Sequence, residues 1–209
     1  MSHVNVDCVL DIKASLGESP IWSVKDQILY WVDINNHLIC KFDPINKINS
    51  IINVGDFIGC FALKKNLSIV LALTDGFFEL EQKKGKISFL CNPKDNNPKN
   101  RFNDGTVDTK GRFYAGTMSL NPKSKGEEPE GSLYCLHPSG DITKILEGFY
   151  TINGLAFSPD YKTAYVSDSA PWIRTIWSYN YNLEDGIWSN KKVFFETHKV
   201  NGRPDGGCI

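Results

Sequence analysis

Residues 17–34 read GESPIWSVKDQILYWVDI. A Gly-Glu pair opens a short stretch holding Pro, Ile and Trp. A polar turn, VKDQ, follows, and then ILYWVD, rich in β-branched and aromatic side chains. Such side chains fit a pleated, half-buried surface, so the segment reads as two strands joined by a tight turn. The same layout returns along the chain. Residues 103–118, NDGTVDTKGRFYAGTM, and 153–169, NGLAFSPDYKTAYVSDS, again set an amide or acidic residue beside a Gly, then strand, polar turn and strand. Residues 58–76, IGCFALKKNLSIVLALTDG, are a weaker copy, and GRPDGGCI at 202–209 reads as the start of a fifth.

The copies begin near residues 18, 59, 103, 153 and 205, at intervals of about 41, 44, 50 and 52. Repeats of this length with four strands each are the mark of β-propeller blades. The second half of each copy supplies the other two strands: HLICKFDP with NSIINV, FFELEQ with KISFL, GSLYCLHPSG with TKILEG, TIWSYNYN with KKVFFET. Turn-forming pairs such as Asp-Pro, Lys-Gly, Ser-Gly and Asp-Gly split them. No window sustains helical apolar spacing. The expectation is an all-β chain forming one β-propeller domain over 1–209, with about four blades and the start of a fifth. A ring that does not close leaves blade faces and strand edges open, so the chain reads as C-terminally incomplete. CNPKDNNPKN (91–100) and NPKSKGEEPEG (121–131) are read as loops.

Composition narrows the function classes. The chain carries 23 Lys and Arg against 24 Asp and Glu, a net charge of −1, which offers no field to draw nucleic acid or an anionic membrane. The basic stretches KKNL, EQKKGK and NKK are short and isolated, as solvated turns are. No apolar run approaches the roughly 18 residues of a membrane span, and the N-terminus lacks a signal-peptide pattern. The six cysteines, at 8, 40, 60, 91, 135 and 208, form no CxxC pair and read as reduced thiols of a cytoplasmic protein. No GxSxG, GxGxxG, P-loop, HExxH or EF-hand pattern occurs.

In a propeller the first strand of each blade lines the central channel, so the repeat starts converge on one mouth. The residues brought there would be Glu18, Asn103 or Asp104, Asn153 and Asp205. All present oxygen, and two or three carboxylates with an amide carbonyl suit a hard divalent cation. Without one, facing carboxylates repel and titrate upward. Asp33 in YWVDI and Asp168 in YVSDS each end a second strand and read as turn or inter-blade hydrogen-bonding positions.

GESPIW, NRFNDGTVDTKGRFYAGTM, INGLAFSPD with YVSDS, and GRPDGGCI, in that order over about residues 8–209, resemble the SMP-30/gluconolactonase/luciferin-regenerating-enzyme family. The resemblance implies a six-bladed propeller of about 300 residues, of which this chain would hold the first four blades and the start of the fifth. It implies one divalent metal (Ca, Zn, Mn or Mg) held by Glu18, Asn153 and Asp205, and a small-molecule lactone substrate contacted by Arg101 and Asn103. The implied activity is hydrolysis of sugar lactones and related esters, with Asp205 or a neighbouring carboxylate as proton acceptor. Ser119, Leu120 and Asn121 stand where some relatives carry an acidic residue that holds polyols. A salt bridge from Arg101 to Asp104 or Asp95 is the competing role for that arginine. A non-catalytic, calcium-binding propeller or an inactive fragment is the competing reading of the whole.

Overall fold

The computed structural model describes residues 5–95 and 97–209. They form sixteen strands in four antiparallel four-stranded sheets, each a meander in chain order. Blade 1 holds β1 (Gly17–Ser23), β2 (Ile28–Asp33), β3 (Leu38–Asp43) and β4 (Ile48–Asn53). Blade 2 holds β5 (Ile58–Leu63), β6 (Ile69–Leu73), β7 (Gly76–Glu81) and β8 (Lys86–Cys91). Blade 3 holds β9 (Asn100–Val107), β10 (Phe113–Ser119), β11 (Gly131–Leu136) and β12 (Ile142–Phe149). Blade 4 holds β13 (Ile152–Phe157), β14 (Thr163–Asp168), β15 (Thr175–Tyr181) and β16 (Trp188–Glu196). Each repeat seen in the sequence is thus one blade. Residues 197–209 form no strand.

The first strands sit side by side in order, β1 beside β5, β5 beside β9, β9 beside β13. Burial falls from inside outward: β5 is almost wholly buried, whereas β4, β8 and β16 are largely exposed. Cores lie between blades. Tyr30, Val32 and Ile39 meet Ile58, Phe61, Ile69 and Leu71 between the first two blades. Cys60, Ala72 and Phe77 meet Phe102, Phe113 and Tyr134 between the second and third. Tyr114, Leu133 and Phe149 meet Ile152, Val166, Tyr179 and Trp188 between the third and fourth. Each blade alone has too little apolar surface to bury, so the stack forms as a unit. Among the described residues no helix is long and apolar enough to cross a membrane. The six cysteines are free; Cys8 and Cys208 are exposed, Cys91 half-buried and the other three buried.

Each first strand carries a bulge at the same place. Register shifts fall between Glu18 and Ile21, between Ile58 and Cys60, opposite Asn103–Gly105, and between Asn153 and Ala156. A bulge bends a strand and re-aims a side chain. On β1, β9 and β13 it lies at the residues the sequence marks as chemical. The end of the second strand stabilises the same corner. Asp33 accepts from the N–H groups of Ser15 and Leu16 at 2.9 and 3.0 Å. Asp168 accepts from Tyr150 and Thr151 at 2.7 and 3.1 Å. Both carboxylates are turn anchors that fix the chain leading into their blade's first strand.

Candidate metal and substrate site

Glu18, Arg101, Asn103, Asn153 and Asp205 line one cavity of about 460 Å³. The first four stand on β1, β9 and β13; Asp205 comes from the segment after β16. Gly59 fills the corresponding bulge on β5. A Cβ there would lie 2.3 Å from the Phe102 carbonyl and 2.6 Å from the Asn103 nitrogen, so β5 yields space to β9 and gives no ligand.

The segment bearing Asp205 is tied down. Arg174 donates to the carbonyls of Thr197, Val200 and Gly202. Ser169 Oγ donates to the Pro204 carbonyl at 2.5 Å. Gly154, at φ +60°, lets this segment approach, since a Cβ would sit 3.0 Å from the Asp205 carbonyl oxygen.

A hydrogen-bonded chain runs through the site. Arg101 Nη1 donates to the Phe102 carbonyl at 2.8 Å and to Asn103 Oδ1 at 3.0 Å. Asn103 Nδ2 donates to the Ile152 carbonyl at 3.0 Å and to Asn153 Oδ1 at 3.1 Å. Asn153 Nδ2 donates to Ser169 Oγ at 2.8 Å. Asn103 and Asn153 are 7% and 5% exposed, so these bonds are shielded from water. A carbonyl oxygen has two lone pairs, so Asn103 Oδ1 and Asn153 Oδ1 each keep one acceptor site. Arg101 Nε and Nη2 make no hydrogen bond within the described residues.

Burial pushes the Glu18 carboxyl above its ordinary range, and the charges of Asp205 and Asp104 add to that, with Arg101 opposing. Asp104 is also raised, chiefly by burial, against hydrogen bonds from backbone N–H groups that include those of Leu155 and Gly105. Arg101 is lowered by burial, with Glu18 supporting its charge. Of the pair Asn103 and Asp104, Asn103 lines the cavity. Asp104 turns to the β13 backbone and accepts from the Leu155 N–H at 3.3 Å. Arg101 joins no ion pair among the described residues, and Asp95 pairs with Lys144 at 2.7 Å.

The donor set fits a hard cation. It offers two carboxylates, one of them, Glu18, raised by burial and by its carboxylate neighbours, and a free amide lone pair. Among the described residues no three His, Cys, Asp or Glu side chains gather as a metal cluster, so the set depends on the Asn153 amide oxygen.

Sequence reasoning left out several cavity residues: Ser169, Tyr150, Trp172, Lys123 and Arg203. Tyr150 and Trp172 meet edge to face at 5.1 Å. Lys123 pairs with Glu130 at 3.0 Å. Only Ser169 had a signal, its place directly after the repeated strand-ending Asp.

Stacked four-stranded meanders with oxygen donors gathered on their first strands define a β-propeller with a polar channel site. Residues 16–209 match the family described as SMP-30/Gluconolactonase/LRE-like region, and the chain belongs to that family. It is 35% identical to regucalcin of Xenopus laevis over 210 residues, covering 100% of this chain and 70% of that protein. A luciferin-regenerating enzyme superposes with a TM-score of 0.86 at 28% identity, over 93% of this chain. The chain spans 66% of that enzyme's length. A gluconolactonase from Xanthomonas campestris shares the fold, with a TM-score of 0.76 at 22% identity over 94% of this chain and 67% of that one.

Proposed function

We propose that this chain carries the site of a divalent-cation-dependent lactonase, with Glu18, Asn153 and Asp205 as cation ligands and Arg101 and Asn103 as substrate contacts. The observation that carries it is the gathering of these five residues around one cavity, with the Glu18 carboxyl raised by burial and by the neighbouring Asp205 and Asp104. The family's gluconolactonase member supports the substrate class.

A divalent cation bound there polarises a carbonyl oxygen and lowers the pKa of water. The chain's residues divide the remaining work. Arg101 keeps Nε and Nη2 as donors, and they steady negative charge developing on the lactone oxygen. Asn103 has committed both amide hydrogens, so it serves as an acceptor and orients a substrate hydroxyl through Oδ1. Asp205 takes a proton from the attacking water. The water oxygen bonds to the acyl carbon, the ring C–O bond breaks, and the proton passes to the departing ring oxygen. The product is the open hydroxy acid.

The test is acid release from D-glucono-δ-lactone after chelation, then with Ca²⁺, Mn²⁺, Mg²⁺ or Zn²⁺ restored, with Glu18→Gln alongside. Hydrolysis that returns with the cation and is abolished in Glu18→Gln is the expected result. Hydrolysis under none of the four cations overturns the reading. A regucalcin of Agrobacterium tumefaciens described as a calcium-binding protein, which shares the fold, favours a second reading, calcium binding without turnover, which predicts cation binding and no acid release.

A further inference from the structure

The corner that follows the strand-ending Asp is built twice, with different side chains. In blade 1 the Ile34 N–H donates to the Leu16 carbonyl at 3.0 Å; in blade 4 the Ser169 N–H donates to the Thr151 carbonyl at the same distance. Asp33 and Asp168 anchor the two corners alike. Ile34 is fully buried, so the corner forms around an apolar side chain. The fold therefore does not ask for a hydroxyl at this position.

Ser169 nevertheless uses its hydroxyl both as donor and as acceptor, at 7% exposure. It accepts from Asn153 Nδ2 at 2.8 Å and donates to the Pro204 carbonyl at 2.5 Å. One side chain thus touches the amide of one candidate ligand and the residue directly before another. We infer that Ser169 is a positioning residue for the cation site. Its acceptor lone pair holds the Asn153 amide with Nδ2 inward, which presents Oδ1 as the ligand atom. Its proton fixes the Pro204 carbonyl, which sets where Asp205 stands. Its own backbone is fixed by Thr151, and the Ala170 N–H is held by Asp168 at 3.0 Å. The hydroxyl is therefore preorganised, as partners that orient metal ligands are. The inference rests on the cation site proposed above.

The experiment is calorimetric titration of the chelated protein with Ca²⁺ and with Mn²⁺, for wild type, Ser169→Ala, Ser169→Thr and Tyr181→Phe. Tyr181 lies in a buried network away from the cavity, so its variant controls for general loosening. Ser169→Ala is expected to bind about 10- to 100-fold more weakly. Ser169→Thr, which keeps the hydroxyl, returns affinity to within a few-fold of wild type. Tyr181→Phe lowers the melting temperature and leaves affinity unchanged. Wild-type binding with equal affinity in Ser169→Ala overturns the positioning role and leaves the cation site standing. Equal weakening in Tyr181→Phe also overturns it, since the loss would then be general. A wild type that takes up neither cation overturns both claims.

Discussion

Blades 3 and 4 are joined by two polar clusters, one just beyond the far end of β9 and one at its near end with β13, and the clusters differ in how completely they satisfy themselves. At the far end of β9, Asp108 and Arg112 have side chains 0% and 6% exposed and pair at 2.6 Å. Arg112 also donates to Tyr181 Oη at 2.9 Å and to the carbonyls of Leu183 and Glu184 at 2.5 and 3.4 Å. Tyr181 Oη donates to Asp108 at 2.5 Å and meets Tyr114 Oη at 3.2 Å. Burial pushes both phenols up, so they stay protonated donors. At the near end, Arg101 pairs with no carboxylate, Glu18 is raised by burial and by Asp205, and amide lone pairs stay free. A closed network holds two blades together. The open one has an arginine and carboxylates in common with it but no tyrosine in its hydrogen-bonded chain, and is the end that the proposed cation would complete.

The largest expected effect tests the closed end. Arg112→Ala strands a buried carboxylate and is expected to cost about 3–5 kcal/mol in chemical denaturation. Cation affinity should not change among the molecules that remain folded. Tyr181→Phe removes hydrogen bonds to charged partners and is expected to cost about 2 kcal/mol by the same measurement. Either variant matching wild-type stability would break the contrast from the structural side.

The next effect is smaller and opposite in sign. Glu18 titrates above its ordinary value of 4.5 in the folded chain. Its folded-state pKa is raised, so the native state binds the proton more tightly than the unfolded chain does. The associated stability is present below about pH 4.5 and is lost as pH rises through the folded value. Without added cation, Glu18→Gln is therefore expected to melt above wild type at neutral pH, with the difference fading in acid. At a given concentration a divalent cation should raise the wild type by more than the variant. The smallest effect belongs to Lys110, whose exposed pair with Glu184 lies at 3.0 Å on the rim of the closed network. Lys110→Ala should change stability by less than about 0.5 kcal/mol.

Much of the fold was legible because local signals agreed. ILYWVD and IVLAL are buried strands by composition, and the repeat of about 40–50 residues made them blades. Glu18, Asn103 and Asn153 could be matched because they open the first, third and fourth repeats. The bulges could not be read, since they arise from how β1, β5, β9 and β13 crowd one another. Gly59 shows why: its lack of a side chain matters only once Phe102 lies against it. The Asp108–Arg112–Tyr181 network was also hidden, because Arg112 and Tyr181 are 69 residues apart and nothing in either segment marks the other. Ser169 stands directly after the repeated strand-ending Asp, but its role was hidden because its partners are 16 and 35 residues away.

The central claim is that the open end is completed by a cation. It is tested most directly by calorimetric titration of the chelated chain with Ca²⁺ in two buffers of different ionisation enthalpy, beside Glu18→Gln. The account predicts one cation per chain, proton release on binding at mildly acidic pH as Glu18 is driven to its carboxylate, and affinity at least about tenfold weaker in Glu18→Gln. A wild type that binds no cation, or a Glu18→Gln variant that binds as tightly as wild type, would contradict it.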